Sequence, residues 1–223
     1  MIITYATQDF VSNLKAALRA ACPDSTRPHL ACVRIELHPT FSRFVATNGH
    51  WLFVNDAPSR VVLGVDEKGK EILGGEGSAV VHVSVEDAAK VLRALERGKK
   101  AATWDVVLDS EARTVEQMTN RVKLQPEMSE AFPPYQQIIP RTLNPKKRPA
   151  MTYDFKYVFE ITSAFDDIVG KRKGGAGITF SQTGEDETDP VLVTSPECGA
   201  LVVLMPRRAD AKPESMLARY VAA

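Results

Sequence analysis

Apolar residues recur at helical spacing in three places along the chain, and each time a series of short strand-like runs comes after them. Phe10, Leu14, Ala17, Leu18 and Ala21 form the first stripe. Val85, Ala88, Leu92 and Leu95 form the second, and Val158, Ile161, Phe165 and Ile168 the third. The segments from Ile3 to Cys22, from Val81 to Lys100 and from Met151 onward each read as a strand followed by an amphipathic helix. A shift of 78 residues lays the first segment on the second: Asp9 meets Asp87, Leu14 meets Leu92, Lys15 meets Arg93 and Arg19 meets Arg97. Ser84 followed by Asp87 predicts the N-cap of the second helix.

The strand-like runs cover 31–37, 41–48, 51–56 and 60–65 after the first helix, 104–109, 113–118 and 120–126 after the second, and 177–182, 190–196 and 200–206 after the third. Many are short, β-branched and bounded by Gly, Pro, Asn or Asp. The repeating unit is therefore strand, helix, several strands. It predicts an α+β fold with helices gathered on one face of antiparallel sheet. Two stretches break the pattern. Asp66 to Gly77 is charged and Gly-rich and reads as a hairpin or mobile loop, and Arg141 to Pro149 is basic and reads as a linker. The expected organisation is a domain over 1–140 made of two units (about 1–65 and 78–140), a linker at 141–149, a third unit or half-domain over 150–208, and a tail at 209–223. In that tail Met216, Leu217 and Tyr220 stand at helical spacing.

Composition narrows the partners. The 223 residues are 44% hydrophobic and 25% charged, which is ordinary for a globular chain large enough to bury a core without staples. Cys22, Cys32 and Cys198 are too few and too far apart for a disulfide framework or a zinc site, so a reducing, cytoplasmic setting is expected. No apolar run approaches a membrane span, and the opening MIITYATQDF lacks the basic and apolar regions of a signal peptide. With 28 basic and 28 acidic side chains the chain is not uniformly basic, which still leaves room for one basic face.

Enzyme chemistry finds little support. His29, His38, His50 and His82 sit at no metal-ligand spacing, no Ser–His or Cys–His pairing stands out, and the carboxylates are scattered. The run from Lys171 to Gly177 lacks the ordered Gly, four residues, Gly-Lys-Ser/Thr of a phosphate loop. A non-enzymatic protein with no cofactor and no metal is expected. The helices are more informative. Lys90, Arg93, Arg97 and Lys100 recur with Glu86 opposite the second apolar stripe, Lys15 and Arg19 hold the matching face of the first helix, and Lys171, Arg172 and Lys173 end the third. Such a face is either solvated surface or a surface for phosphates, whose contacts are sequence-independent and salt-sensitive.

Three segments resemble one family, the bacterial DNA polymerase III beta subunits, or sliding clamps. Arg43 to Val54 (RFVATNGHWLFV) is similar to the clamp turn Thr-Asp-Gly-His-Arg-Leu. Phe132 to Pro140 (FPPYQQIIP) is similar to the Phe-Pro-Asp-Tyr segment that closes the middle domain, and Asp189 to Arg208 to the last strands and their Met-Pro-Met-Arg ending. The resemblance covers most of residues 1–208. It implies a ring lined by helices and faced by sheet, encircling duplex DNA without reading its sequence. It also implies a pocket for short hydrophobic peptides of polymerases and other partners. Carried over position by position, Thr47, Gly49, His50 and Leu52 match the turn, Pro140 the domain exit, and Val203, Met205 and Pro206 the final strand. The helix cations given by their spacing, Lys15, Arg19, Lys90, Arg93, Arg97, Lys171, Arg172 and Lys173, are the expected contacts to DNA.

The departures are Asn48 for Asp, Trp51 for Arg, Pro134 for Asp and Arg207 for the second Met. Family chains carry six units and this one shows three, so a comparable ring implies a homo-oligomer of four chains. A clamp-like adaptor that binds clamp partners without encircling DNA is the alternative.

Overall fold

The computed structural model describes residues 1–65, 71–73, 77–95, 105–126, 131–139, 153–169, 177–184, 186 and 188–206. Helices form at all three apolar stripes: α1 (Thr7–Ala20), α2 (Val85–Leu95) and α3 (Phe155–Val169). The predicted faces are the packed ones. Phe10, Leu14 and Ala17 on α1, Ala88 and Leu95 on α2, and Ile161 and Phe165 on α3 are buried in one core, with Leu18, Leu92, Val158 and Ile168 packed against it. Ser84 caps α2, its Oγ accepting the Asp87 N–H at 3.0 Å. The Asp87 carboxylate, almost fully buried, accepts the Gln125 N–H at 2.7 Å and so ties the start of α2 to a distant segment.

Thirteen strands are described: β1 (Ile2–Ala6), β2 (Cys32–Leu37), β3 (Phe41–Thr47), β4 (Trp51–Pro58), β5 (Arg60–Val65), β6 (Glu71–Leu73), β7 (Ala79–Ser84), β8 (Asp105–Asp109), β9 (Thr114–Gln117), β10 (Asn120–Lys123), β11 (Thr179–Gln182), β12 (Val191–Ser195) and β13 (Cys198–Leu204). Each predicted run holds one of them. β6 pairs with β5, so the Asp66 to Gly77 stretch carries the far strand of a hairpin. The sequence pattern also predicts a strand ahead of α3. Tyr153 and Asp154 instead have no regular structure, and residues 151–152 lie outside the described residues. Asp154 starts the helix here: its Oδ1 accepts the Lys156 N–H at 2.9 Å and its carbonyl accepts those of Tyr157 and Val158.

The strands make two sheets, of order β10-β9-β8-β1-β5-β6 and β11-β12-β13-β4-β3-β2-β7, with antiparallel pairing throughout. β1 lies between β5 and β8 in the first sheet. It thus joins β8 of the second unit, and β7 joins β2 of the first. The third unit adds on through β13, which pairs with β4 from Leu201↔Val54 to Leu204↔Trp51. The helices gather together, α1 packing on both α2 and α3.

An aromatic triangle holds the two sheets to α1. Tyr5 on β1, Phe10 on α1 and Phe44 on β3 meet with ring centroids 5.0 to 6.3 Å apart. The buried Tyr5 hydroxyl donates to Ser42 Oγ at 2.8 Å, and Ser42 is bonded in turn to Ser59 at 2.9 Å. Among the described residues no helix is long and apolar enough to cross a membrane.

Candidate functional site

On the seven-stranded sheet, strand alternation sorts residues onto two faces. Phe44, Ala46, Trp51, Phe53, Val202 and Leu204 belong to the main core. Cys32, Val45, Leu52, Val54 and Val203 belong to a second apolar cluster, completed by Phe132 and Tyr135. The segment 131–139 therefore lies over the face of the sheet turned away from the main core. Phe132 sits between the guanidinium of Arg34, 5.8 Å from its ring centroid, and the imidazole of His82 at 5.9 Å. Tyr135 opens a 3-10 turn at Tyr135–Gln137 and donates its hydroxyl to Glu36 Oε2 at 3.0 Å. Glu36 also accepts from Arg34 at 2.8 Å, and burial together with the Glu36 charge pushes the Tyr135 phenol above its ordinary range.

Between this segment and the β4–β13 junction lies a groove of about 210 Å3, lined by Leu30, Thr47, Gly49, His50, Trp51, Leu52, Pro133, Pro134, Tyr135, Gln137, Ile138, Val203 and Met205. Six of the residues expected from sequence meet here: Thr47, Gly49, His50, Leu52, Val203 and Met205. Pro206 is half-buried beside the groove without lining it, and Pro140 lies outside the described residues. Sequence reasoning did not assign Leu30, Trp51, Pro133, Pro134, Gln137, Tyr135 or Ile138 to the groove. The last five lie in FPPYQQIIP, which the resemblance singles out as a segment without assigning them to the groove.

The turn that forms one wall is built by its own side chains. Gly49 has φ +87°, a conformation side chains with a Cβ rarely adopt. Thr47 Oγ1 accepts the Gly49 N–H at 3.1 Å and donates to the Trp51 carbonyl at 2.8 Å. Asn48 Oδ1 accepts the N–H groups of His50 and Trp51 at 3.0 and 3.2 Å, so the amide oxygen closes the turn. Trp51, the other departure, belongs to the main core, and its indole N–H has no hydrogen-bond partner among the described residues. The Met205 N–H donates to the His50 carbonyl at 3.1 Å, and His50 stacks on Tyr157 of α3 at 5.1 Å. The groove is thus made where the turn before β4 meets β13 and α3.

The helix cations are placed less simply. Lys15, Leu18 and Arg19 share a cleft with Leu92 of α2 and Asp167 of α3. Arg19 is committed to α3, with Nε 2.6 Å from Asp167 and Nη1 3.4 Å from Glu160. These carboxylates favour the charged guanidinium and raise its pKa further. Lys90 pairs with Glu86 at 2.9 Å and with Asp87 at 3.4 Å. Arg93 is exposed and its Nε donates to the Ala89 carbonyl at 3.1 Å. Arg97, Lys171, Arg172 and Lys173 lie outside the described residues. The described helices carry Lys15, Arg19, Lys90, Arg93 and Lys156 against Asp9, Glu86, Asp87, Glu160, Asp166 and Asp167. Among the described residues no group of three or more His, Cys, Asp or Glu could hold a metal ion.

The architecture has close counterparts among solved structures. A DNA polymerase III beta subunit from Thermotoga maritima matches 94% of this chain and 66% of its own, with a TM-score of 0.66 and 15% sequence identity. The fold is that of the sliding clamps. A sliding clamp from Pseudomonas aeruginosa matches at a TM-score of 0.65 and 14% identity over 94% of this chain and 67% of its own. A Pseudomonas aeruginosa clamp solved bound to griselimycin matches equally, over 66% of its length. In sequence, the chain is 30% identical over 133 residues to a beta sliding clamp of Synechocystis sp., a match covering 57% of this chain and 32% of that relative. The matched stretch thus spans about a third of that clamp, and the chain about two thirds of the solved ones. No family model matches the chain.

Proposed function

We propose that the protein is a non-enzymatic, clamp-like factor of DNA replication or repair that holds partner proteins through the groove and duplex DNA through its helices. The observation that carries this reading is the groove itself. An apolar floor of Leu52 and Val203, an exposed methionine at the rim and an ordered turn lie together on the outer face of a sliding-clamp fold. Methionine suits a surface that accepts several ligands. A peptide of the Gln-Leu-x-Leu-Phe type is the occupant this reading requires, with binding energy from two or three apolar anchors worth about 1.5–3 kcal/mol each before ordering costs.

Met205→Ala tests the groove. Met205 is 42% exposed and contributes part of a side chain's burial to a bound peptide. The expected result in fluorescence anisotropy is a loss of about five- to tenfold in peptide affinity with an unchanged unfolding midpoint. Undiminished binding by the variant would remove the groove from the proposal.

Encirclement of DNA requires several copies, because three units cannot surround a duplex. Exposed aromatic side chains are candidate contacts for a second copy. Phe155 and Phe159, on one face of α3, are 83% and 57% exposed, and Phe180 on the edge strand β11 is 44% exposed. A solution mass of four chains is expected. A monomer at micromolar concentration excludes a closed ring and leaves the adaptor reading. That second reading has its own support in the pairing of Arg19 and Lys90 with carboxylates.

A further inference from the structure

We infer that the groove is regulated by the chain's own tail, which docks there in cis and competes with partner peptides. The inference rests on the groove being a peptide site, and its occupant is the segment Ser215 to Tyr220 (SMLARY). Residues 207–223 lie outside the described residues. Support comes from the point at which the chain leaves the fold and from the composition of residues 207–220.

β13 is held to β4 as far as Leu204↔Trp51, and the Met205 N–H is bonded to the His50 carbonyl at 3.1 Å. The chain is therefore fixed against the groove wall up to Met205, whose own side chain lines the groove, and everything after Pro206 starts at the rim. The segment 207–214 (RRADAKPE) has no large apolar residue and carries charges of both signs with one proline, which suits a solvated linker. At no more than about 3.6 Å per residue it can double back over the groove without strain.

The occupant has the matching chemistry. Met216, Leu217 and Tyr220 follow Ser215 at sequence spacings that would share one face if the segment docked as a helix. A groove of about 210 Å3 is smaller than the pockets of about 300–1,000 Å3 that engulf drug-sized molecules. It takes the tips of two or three side chains, which is what this segment offers. Tethering sets the competition: a short flexible linker holds its docking segment at an effective concentration on the order of millimolar. A segment with a dissociation constant of about 0.1 mM would then weaken an external peptide by roughly tenfold without any strong contact of its own.

Two measurements on the full chain decide the matter. With 13C-methyl methionine labels, a nuclear Overhauser contact between the Met205 and Met216 methyl groups is expected and should persist on dilution. Its absence overturns the inference, and loss of the contact on dilution assigns the docking to a second copy and overturns the cis form. In parallel, Met216→Asp with Leu217→Asp should bind a fluorescent Gln-Leu-x-Leu-Phe peptide about tenfold more tightly than the parent. Equal affinities overturn the competition. If the peptide binds neither protein, the groove reading fails for that probe, and the Met205–Met216 contact alone decides whether the tail docks.

Discussion

Phe44→Ala is expected to lower the stability of the protein by about 3–5 kcal/mol, the usual cost of deleting a buried phenylalanine. Phe44 has no exposed surface and stands where β3, β1 and α1 meet, in contact with both Tyr5 and Phe10. Its loss leaves a cavity at the seam between the two sheets. The Tyr5, Ser42 and Ser59 hydroxyls beside it already bond one another. Against a total of about 5–15 kcal/mol, this raises the unfolded fraction more than a hundredfold. Urea unfolding should show a lower midpoint with an unchanged slope. A loss under about 1 kcal/mol would mean that the aromatic triangle is not what joins the sheets. The next residue, Val45, faces the groove cluster instead. A groove defect in Phe44→Ala would therefore report loss of the fold, whereas one in Met205→Ala reports loss of a contact.

The elements were legible in the sequence because their causes are local. A stripe at 3.6-residue spacing specifies α1, α2 and α3, and β-branched runs closed by Gly, Pro or Asn specify the strands. Val91 escaped the predicted stripe of α2 yet is fully buried, since β10, β7 and β2 pack against α2 and widen the covered face. The placing of β1 between β5 and β8, and of β7 beside β2, has no local signature at all. It is fixed by which sheet edge each strand finds, as in the pairing of Ile3 with both Val61 and Leu108.

Half of the groove was legible for a different reason. Thr47, Gly49 and His50 belong to a turn whose residue types are dictated by its backbone, and such a turn is visible in any sequence that carries it. Leu52 and Val203 are legible only through the resemblance to the clamp turn and final strand; that they pair directly is set by the register of β4 and β13. Tyr135 could not be placed, because its contact is with Glu36, far away in the chain, and depends on how 131–139 crosses the sheet. The same holds for Arg19. Sequence spacing put it on a basic helix face, and only the packing of α3 on α1 brings Asp167 and Glu160 against it.

That pairing makes the DNA proposal testable in two directions. A cation that neutralises a backbone phosphate releases counterions, so each full contact contributes about 0.9 to the slope of log affinity against log salt. Arg93→Ala together with Arg97→Ala should flatten the slope by roughly two units. Between 50 and 200 mM salt, the parent should then lose about tenfold more affinity than the variant. Glu160→Gln with Asp167→Asn should act oppositely. It frees Arg19 for a phosphate, steepens the slope by about one unit and strengthens binding at low salt, while removing half-exposed ion pairs worth only about 0.2–1 kcal/mol to stability. Measured on a duplex without a preferred sequence, opposite shifts in the two variants identify α1 and α2 as the phosphate-facing surface. Equal slopes in parent and both variants would leave the helices without a role in DNA contact, and the groove would then act in a protein that binds clamp partners without encircling a duplex.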